Sequence, residues 1–393
     1  MSLKHALILL TLVSVVADTM LLPFYPQFFA QSFGMHAPEH VGYYIAACCF
    51  TVMTAFPLWA KVAKKINELH LWIYTQLIAG ALGIACYYST SLVEFWVLSQ
   101  LMLVFKASYL LIYPFVIRLE EKDKHLGMIS LFSVLMHFGA IGGALLGGMI
   151  LQVFDPRDVY LVMPASDAIQ ILVCVFIIAK LKTPFRAEPE SEHAIAHRTP
   201  EHKRFIAHLG LVSMLFYFSV FLIRPFFSRY WESISQLQGE MISGLIYSIP
   251  GWVALFGLWM NHKAKSSGNN GQHIAAAMLF GIAGLLLQGA QHEALVIIGR
   301  CVFGWGLFQA TVRLEVMMFE NSTPENYARD FSRVHFFQNL GVIGASFAVG
   351  HIVDNAELVT PFFVAMAGLS ITLAYFVAVF KRKLMAAPQA QEA

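Results

Sequence analysis

The chain has 393 residues, of which 58% are hydrophobic and only 13% charged, and its formal net charge is +2. Soluble globular domains carry about 25% charged residues, so this composition excludes an ordinary water-soluble protein. Nothing in the sequence points to nucleic acid.

Apolar runs long enough to cross a bilayer, roughly 20 residues each, are predicted at 5–29, 40–60, 69–89, 94–117, 126–151, 159–179, 205–228, 239–260, 273–290, 294–317, 332–353 and 358–380. Several contain Gly or Pro, which membrane helices tolerate better than soluble ones. The first run is too long for a signal-peptide core and no small-residue cleavage site follows it, so it is read as a retained helix. Cys48, Cys49, Cys86, Cys174 and Cys301 have no paired spacing and read as packing residues, not as disulfides or a metal site.

Orientation follows from the basic residues. With the N-terminus in the cytoplasm, the inner loops hold Lys61, Lys64 and Lys65, Lys122 and Lys124, Lys180 to Arg204, Lys263 and Lys265, and Arg329; the tail adds Lys381, Arg382 and Lys383. The outer loops hold little beyond Arg157 and Arg229. This positive-inside bias predicts a multi-pass protein of the cytoplasmic (inner) membrane with both termini inside, and its basic inner face suits anionic lipid.

The longest polar stretch, Lys182 to Lys203, contains Pro184, Pro189 and Pro200 and reads as a cytoplasmic linker. The expected organisation is a six-helix bundle at 1–181, the linker at 182–203, a second six-helix bundle at 204–380 and a tail at 381–393. The halves repeat. Pro23-Phe24-Tyr25 matches Pro225-Phe226-Phe227, and Gly139-Ala140-Ile141-Gly142 matches Gly341-Val342-Ile343-Gly344, both 202 positions later. Pro57-Leu58-Trp59 matches Gly257-Leu258-Trp259 at an offset of 200. Such repeats characterise pseudo-symmetric transporters.

The run Gly139-x-x-x-Gly143-Ala144-x-x-Gly147-Gly148 resembles the antiporter motif GxxxGPxxGG of the drug and proton exchanging, twelve-span branch of the major facilitator superfamily, with Ala144 in place of the proline. Asp18 followed by Pro23 and Pro26 resembles the first-span motif of that branch. Arg300-x-x-x-Gly304-x-Gly306 resembles its span-four R-x-x-x-G-x-G pattern, here in span ten. Span four departs from it: aligned on Pro114, Met102 stands at the arginine and Lys106 at the next glycine. The loop after span two departs as well, with Lys61 at an acidic position. The resemblance covers nearly the whole length and implies an all-alpha membrane protein of twelve helices in two pseudo-symmetric bundles. It also implies that spans one, four, seven and ten line a central cavity. Glycines at this spacing admit a close helix partner, so Gly139, Gly143, Gly147, Gly148, Arg300 and Gly304 are assigned to gating and helix packing.

Charge inside a membrane span is costly and marks function by default. Asp18, near the middle of span one, is the first choice for a proton-coupling carboxylate, and Asp167 in span six is the second. The alternative for Asp18 is a permanent ion pair with Lys106 that only ties two spans together. Lys106 and Arg224, if uncompensated, favour a cargo with carboxylates; the guanidinium offers a planar fork. Tyr25, Tyr217, Gln338 and Asn339 complete the expected substrate-binding set. Arg313 and Glu315 are placed at the cytoplasmic edge, where gating ion pairs with Arg329, Asp330 or Arg333 are expected. The outer aromatics, Tyr230 and Trp231 above all, read as an interfacial belt in contact with lipid.

No G-x-x-x-x-G-K-S/T loop is present, so energy is expected from an ion gradient, with no cofactor or metal. The residues point to no enzyme. They predict a monomeric, proton-coupled exporter of a small organic anion or zwitterion by alternating access; a siderophore-like chelator would fit. The alternatives are a multidrug efflux antiporter and a proton-coupled importer of a small organic anion.

Overall fold

Lipid offers no partner for backbone N–H and C=O groups, so each span must satisfy its own by coiling. The computed structural model describes residues 3–112, 115–116, 125–186, 199–263, 270–322 and 326–385. These form helices α1 (Leu3–Thr19), α2 (Tyr25–Phe33), α3 (Pro38–Ala63), α4 (Glu68–Tyr88), α5 (Leu92–Lys106), α6 (His125–Val153) and α7 (Val159–Leu181). The second half holds α8 (Pro200–Phe221), α9 (Phe227–Ile234), α10 (Glu240–Lys263), α11 (Asn270–Gln288), α12 (Glu293–Glu320), α13 (Tyr327–Asn355) and α14 (Thr360–Met385). Among the described residues, eleven helical spans are long and apolar enough to cross a membrane, and α1 adds a shorter apolar helix, Ala6–Thr19. The central part of the linker, residues 187–198, and the tail beyond residue 385 lie outside the described residues, as do Lys122 and Lys124.

Local chemistry starts several of these helices. Asn67 caps α4 by accepting from the Leu69 N–H at 3.1 Å, and Ser91 caps α5 by accepting from the Glu94 N–H at 3.2 Å. Thr199 accepts from the His202 N–H at 3.2 Å, with Pro200 in the first turn of α8, where its missing N–H costs nothing.

The first predicted span is two helices. α1 stops at Thr19 and α2 restarts at Tyr25, with Pro23 in the break. The seventh span breaks at the equivalent place, between Phe221 and Phe227 around Pro225. The residues before the two restarts, Phe24 (φ −120°, ψ 5°) and Phe226 (φ −109°, ψ 8°), share one backbone conformation. The sequence repeat is therefore a repeat of a helix break, set by a residue that cannot donate a ladder bond.

The chain divides into two compact units. One comprises Met1–Ser191 with Gly239–Ser248, the other Glu192–Gln238 with Ile249–Ala393. In the first, α6 packs on α1 through its glycines: a Cβ on Gly139 would meet the Val15 side chain at 2.5 Å and one on Gly147 the Met20 carbonyl oxygen at 2.2 Å. Gly148 turns to the Glu240 backbone, which a Cβ would meet at 2.5 Å. In the second unit α13 packs on α8 in the same register. Gly142 faces Val16 and Gly344 faces Phe218, so both partners of the contact recur at an offset of 202.

Leu77, Val93, Leu172 and Ile371 project from the helices as exposed apolar side chains, as lipid contact requires. Tyr230 and Trp231 correct the expectation of a lipid-facing belt. They are 1% and 0% exposed, and Tyr230 donates its hydroxyl to the Gln288 carbonyl oxygen while stacking on Phe362 with ring centroids 4.5 Å apart. The break before α9 turns this short helix inward, which hydropathy alone does not reveal.

Candidate functional site

Three charged side chains meet inside the first unit. Lys106 is the last residue of α5, and the chain tightens there into a 3₁₀ turn, Ala107–Leu111. Its ammonium donates to Asp167 Oδ1 at 2.8 Å and to Asp18 Oδ1 at 3.2 Å. Lys106 and Asp167 are sealed, with side-chain exposures of 7% and 1%, whereas Asp18 is 44% exposed. One cation thus serves two carboxylates, and the ionised cluster carries a net charge of −1.

Each helix supplies its member for a local reason. Ser14, one turn before Asp18 on α1, donates its hydroxyl to Asp18 Oδ2 at 3.2 Å. Asp167 on α7 lies against Gly80 of α4, where an added Cβ would stand 3.7 Å from the Asp167 Cβ. Asp167 Oδ2 is buried without a hydrogen-bond partner among the described residues. The 3₁₀ turn after Lys106 is held from α4: the Trp72 indole donates to the Ser108 carbonyl at 3.0 Å, and the Thr75 and Ser108 hydroxyls are 2.7 Å apart. A short 3₁₀ segment within a longer helix often marks a functional hinge, and here it begins at the charged residue.

Tyr25, on the far side of the break from Asp18, lies within electrostatic reach of it and packs edge-on against Tyr44 at 5.3 Å. Sequence reasoning paired Asp18 with Lys106 as the alternative to a coupling role and named Asp167 and Tyr25 separately; the fold forms that pair and brings all four into one neighbourhood. It also adds Ser14, Gly80, Trp72 and Ser108, which were missed. Only Ser14 left a signal, its four-residue spacing from Asp18.

The other named residues lie in the second unit. Arg224 follows α8 and sits with its guanidinium 5.7 Å from the Phe221 ring centroid. Tyr217 of α8 lies close to Thr311 of α12 and within electrostatic reach of both Arg224 and Glu315. Arg300 is buried with its guanidinium 4.2 Å from the Phe227 ring centroid. Gly304 backs onto Pro250, whose Cα is 2.7 Å from where a Cβ would be. Gln338 is buried and its neighbour Asn339 exposed, so the two do not share a face.

The expected inner-edge pairs are replaced by others. Arg313 donates from Nε to Gln309 Oε1 at 3.3 Å, and Gln309 in turn donates to Asn261 at 3.2 Å. Asp330 is met by His202 Nε2 at 2.7 Å and by the Ser322 hydroxyl at 2.5 Å. No described residue forms an ion pair with Glu315. Arg157, counted only as an outer-loop charge in the sequence, is a structural clamp. Its two terminal nitrogens donate to the Ser89 carbonyl at 2.9 Å and the Ser32 carbonyl at 2.8 Å, and its guanidinium carbon sits 4.9 Å from the Phe33 ring centroid.

Comparison with known proteins agrees with this architecture. The family described as Major Facilitator Superfamily matches residues 7–267 of the chain. The chain belongs to the major facilitator superfamily. It is therefore a multi-pass transporter, not an enzyme, and its cargo is a small molecule. This superfamily member is 23% identical over 320 residues to a "multi-drug resistance efflux pump PmrA homolog" of Lactococcus lactis, covering 77% of this chain and 76% of that one. Its fold is similar to that of the human organic anion transporter MFSD10 (TM-score 0.71, 12% identity, 95% of this chain and 98% of that one). It is also similar to a POT family transporter solved with a thioalcohol-conjugated peptide (TM-score 0.76, 12% identity, 97% and 96%).

Proposed function

We propose that this protein is a proton-coupled exporter of a small organic molecule in a cytoplasmic membrane, with both termini on the cytoplasmic side. The observation that carries the reading is the sharing of Lys106 between a sealed Asp167 and a half-exposed Asp18. A buried ion pair is hard to break, because the survivor is left as an uncompensated charge in a medium of low polarity. Lys106 and Asp167 therefore stay together. Asp18 is the member that water reaches, and its protonation takes the cluster from −1 to neutral without disturbing the inner pair. The positive charge of Lys106 is already balanced, so it does not by itself draw an anionic cargo. Arg224 is left as the cation available to a carboxylate.

Export is favoured over import by the span-five glycine motif and by the efflux pump named above. A multidrug antiporter for cationic compounds is the second reading, and the net negative cluster beside Tyr25 supports it. Proteoliposomes with an imposed pH gradient test the coupling. For each proton exchanged per solute, one pH unit sustains about a tenfold solute gradient. Wild type is expected to build that gradient, and Asp18→Asn is expected to equilibrate the solute only. A mutant that accumulates as well as wild type removes Asp18 from the coupling. Accumulation in right-side-out but not inside-out cell vesicles reverses the assigned direction.

A further inference from the structure

We infer that the second unit contains a recognition site for a zwitterion, in which Arg224 holds a carboxylate and Glu315 holds an ammonium group on opposite sides of Tyr217. Glu315 had been expected to form a gating ion pair. Among the described residues it has no hydrogen bond and no ion pair, although it lies within a membrane-spanning helix. A carboxylate left alone at that depth is unfavourable and calls for a cation or a proton. Its neighbour Arg313 does not serve, being turned to Gln309. Arg224 is likewise without a carboxylate among the described residues and rests on an aromatic ring.

The helices set the geometry. α8 and α12 run antiparallel here: Phe227, beyond the end of α8, meets Arg300 near the start of α12, whereas Tyr217 meets Thr311 further along. Arg224 lies toward the Phe227 end, past Tyr217 by four helical residues, about 6 Å of rise, and then three residues of the turn that follows α8. Glu315 lies four residues past Thr311 in the opposite direction, about 6 Å and on the same helix face. Both charges lie within electrostatic reach of Tyr217, but they do not meet each other within ion-pair distance among the described residues. Allowing for side chains that reach back toward Tyr217, the two heads stand roughly 10 Å apart. Arg224, Tyr217, Thr311 and Glu315 are all partly exposed, so a solute can reach them. A single unpaired arginine would select anions and a single unpaired glutamate cations. The two held apart on one aromatic floor select a molecule that carries both.

The inference rests on the transport reading only in that a solute must enter this unit, and it is tested without any gradient. The purified full chain is titrated in detergent with three dansyl probes. One carries an ammonium and a carboxylate about 10 Å apart, one the ammonium alone and one the carboxylate alone; charge-assisted hydrogen bonds give affinity differences of about tenfold or more. The double-charged probe is expected to bind at least about tenfold more tightly than either single-charged one. Arg224→Gln is expected to weaken the probes that carry a carboxylate, and Glu315→Gln those that carry an ammonium, each leaving the remaining probe unchanged. Arg224→Lys, which keeps the charge, should retain part of the affinity and guards against a folding artefact. Binding is read with no gradient imposed, so a coupling failure is distinguishable from a recognition failure. Equal binding of the three probes, absence of binding, or unchanged zwitterion affinity in Glu315→Gln overturns the site.

Discussion

Lys106→Met is expected to harm the protein more than loss of either carboxylate. Asp167 is 1% exposed, and its short bond to Lys106, at 2.8 Å, is the shorter of the two. Without the ammonium it becomes a buried, uncompensated charge, a change that costs about 3–5 kcal/mol when one partner of a buried pair is removed. Asp18→Asn leaves the inner pair intact at a half-exposed position, and its effect on stability is expected to stay within about 1 kcal/mol. Asp167→Asn falls between, because Lys106 keeps Asp18 but loses a charge-assisted bond of about 1.5–3 kcal/mol. The assay is thermal unfolding of purified protein followed by size-exclusion recovery, with the variants ranked on one gradient of temperatures. The double variant Lys106→Met, Asp167→Asn removes the orphaned charge and should recover much of what Lys106→Met loses, a coupling read directly from the cycle. If Lys106→Met unfolds at the wild-type temperature, or the double variant is additive, the sealed-pair argument is wrong.

Three further outcomes follow from packing. Gly147→Ala puts a methyl 2.2 Å from the Met20 carbonyl oxygen and should destabilise by about 1–3 kcal/mol, whereas Gly80→Ala, with its nearest neighbour at 3.7 Å, should be tolerated; parallel melting curves separate them. Arg157→Lys should not restore the stability lost in Arg157→Ala, because an ammonium cannot fork to the two carbonyls of Ser89 and Ser32 at once; equal melting temperatures for Arg157→Lys and wild type would refute the clamp. Trp72→Phe leaves the buried Ser108 carbonyl without its indole donor, a loss of about 1–3 kcal/mol, and should also lower transport rate by loosening the turn that carries Lys106; a variant with normal melting and normal rate removes Trp72 from that role.

Hydropathy is a property of consecutive residues, so the spans were legible. Coiling is forced wherever lipid leaves the backbone no other partner. The internal repeat was legible for the same reason, as strings such as Pro23-Phe24-Tyr25 and Pro225-Phe226-Phe227 recur at one offset. Their meaning as helix breaks was not, because the hydrophobic run continues unbroken through each. Intramembrane charge singled out Asp18, Asp167 and Lys106 and offered an Asp18–Lys106 pair, but not the third member that shares the lysine.

Which of these charges meet was decided by helix rotation and close packing, over separations of 88 and 61 residues for the two partners of Lys106. Inside a membrane, hydrophobicity does not tell a helix which way to face; small residues and polar partners on neighbouring helices do. Asp167 packs against Gly80, Trp72 holds the turn that aims Lys106, and the break at Pro225 turns Tyr230 and Trp231 inward. Arg313 is taken up within its own helix by Gln309, and Glu315 lies within electrostatic reach of Tyr217 on the neighbouring helix. Sequence thus settled which segments are apolar enough to span a membrane, and tertiary packing settled which of the charges within them are paired.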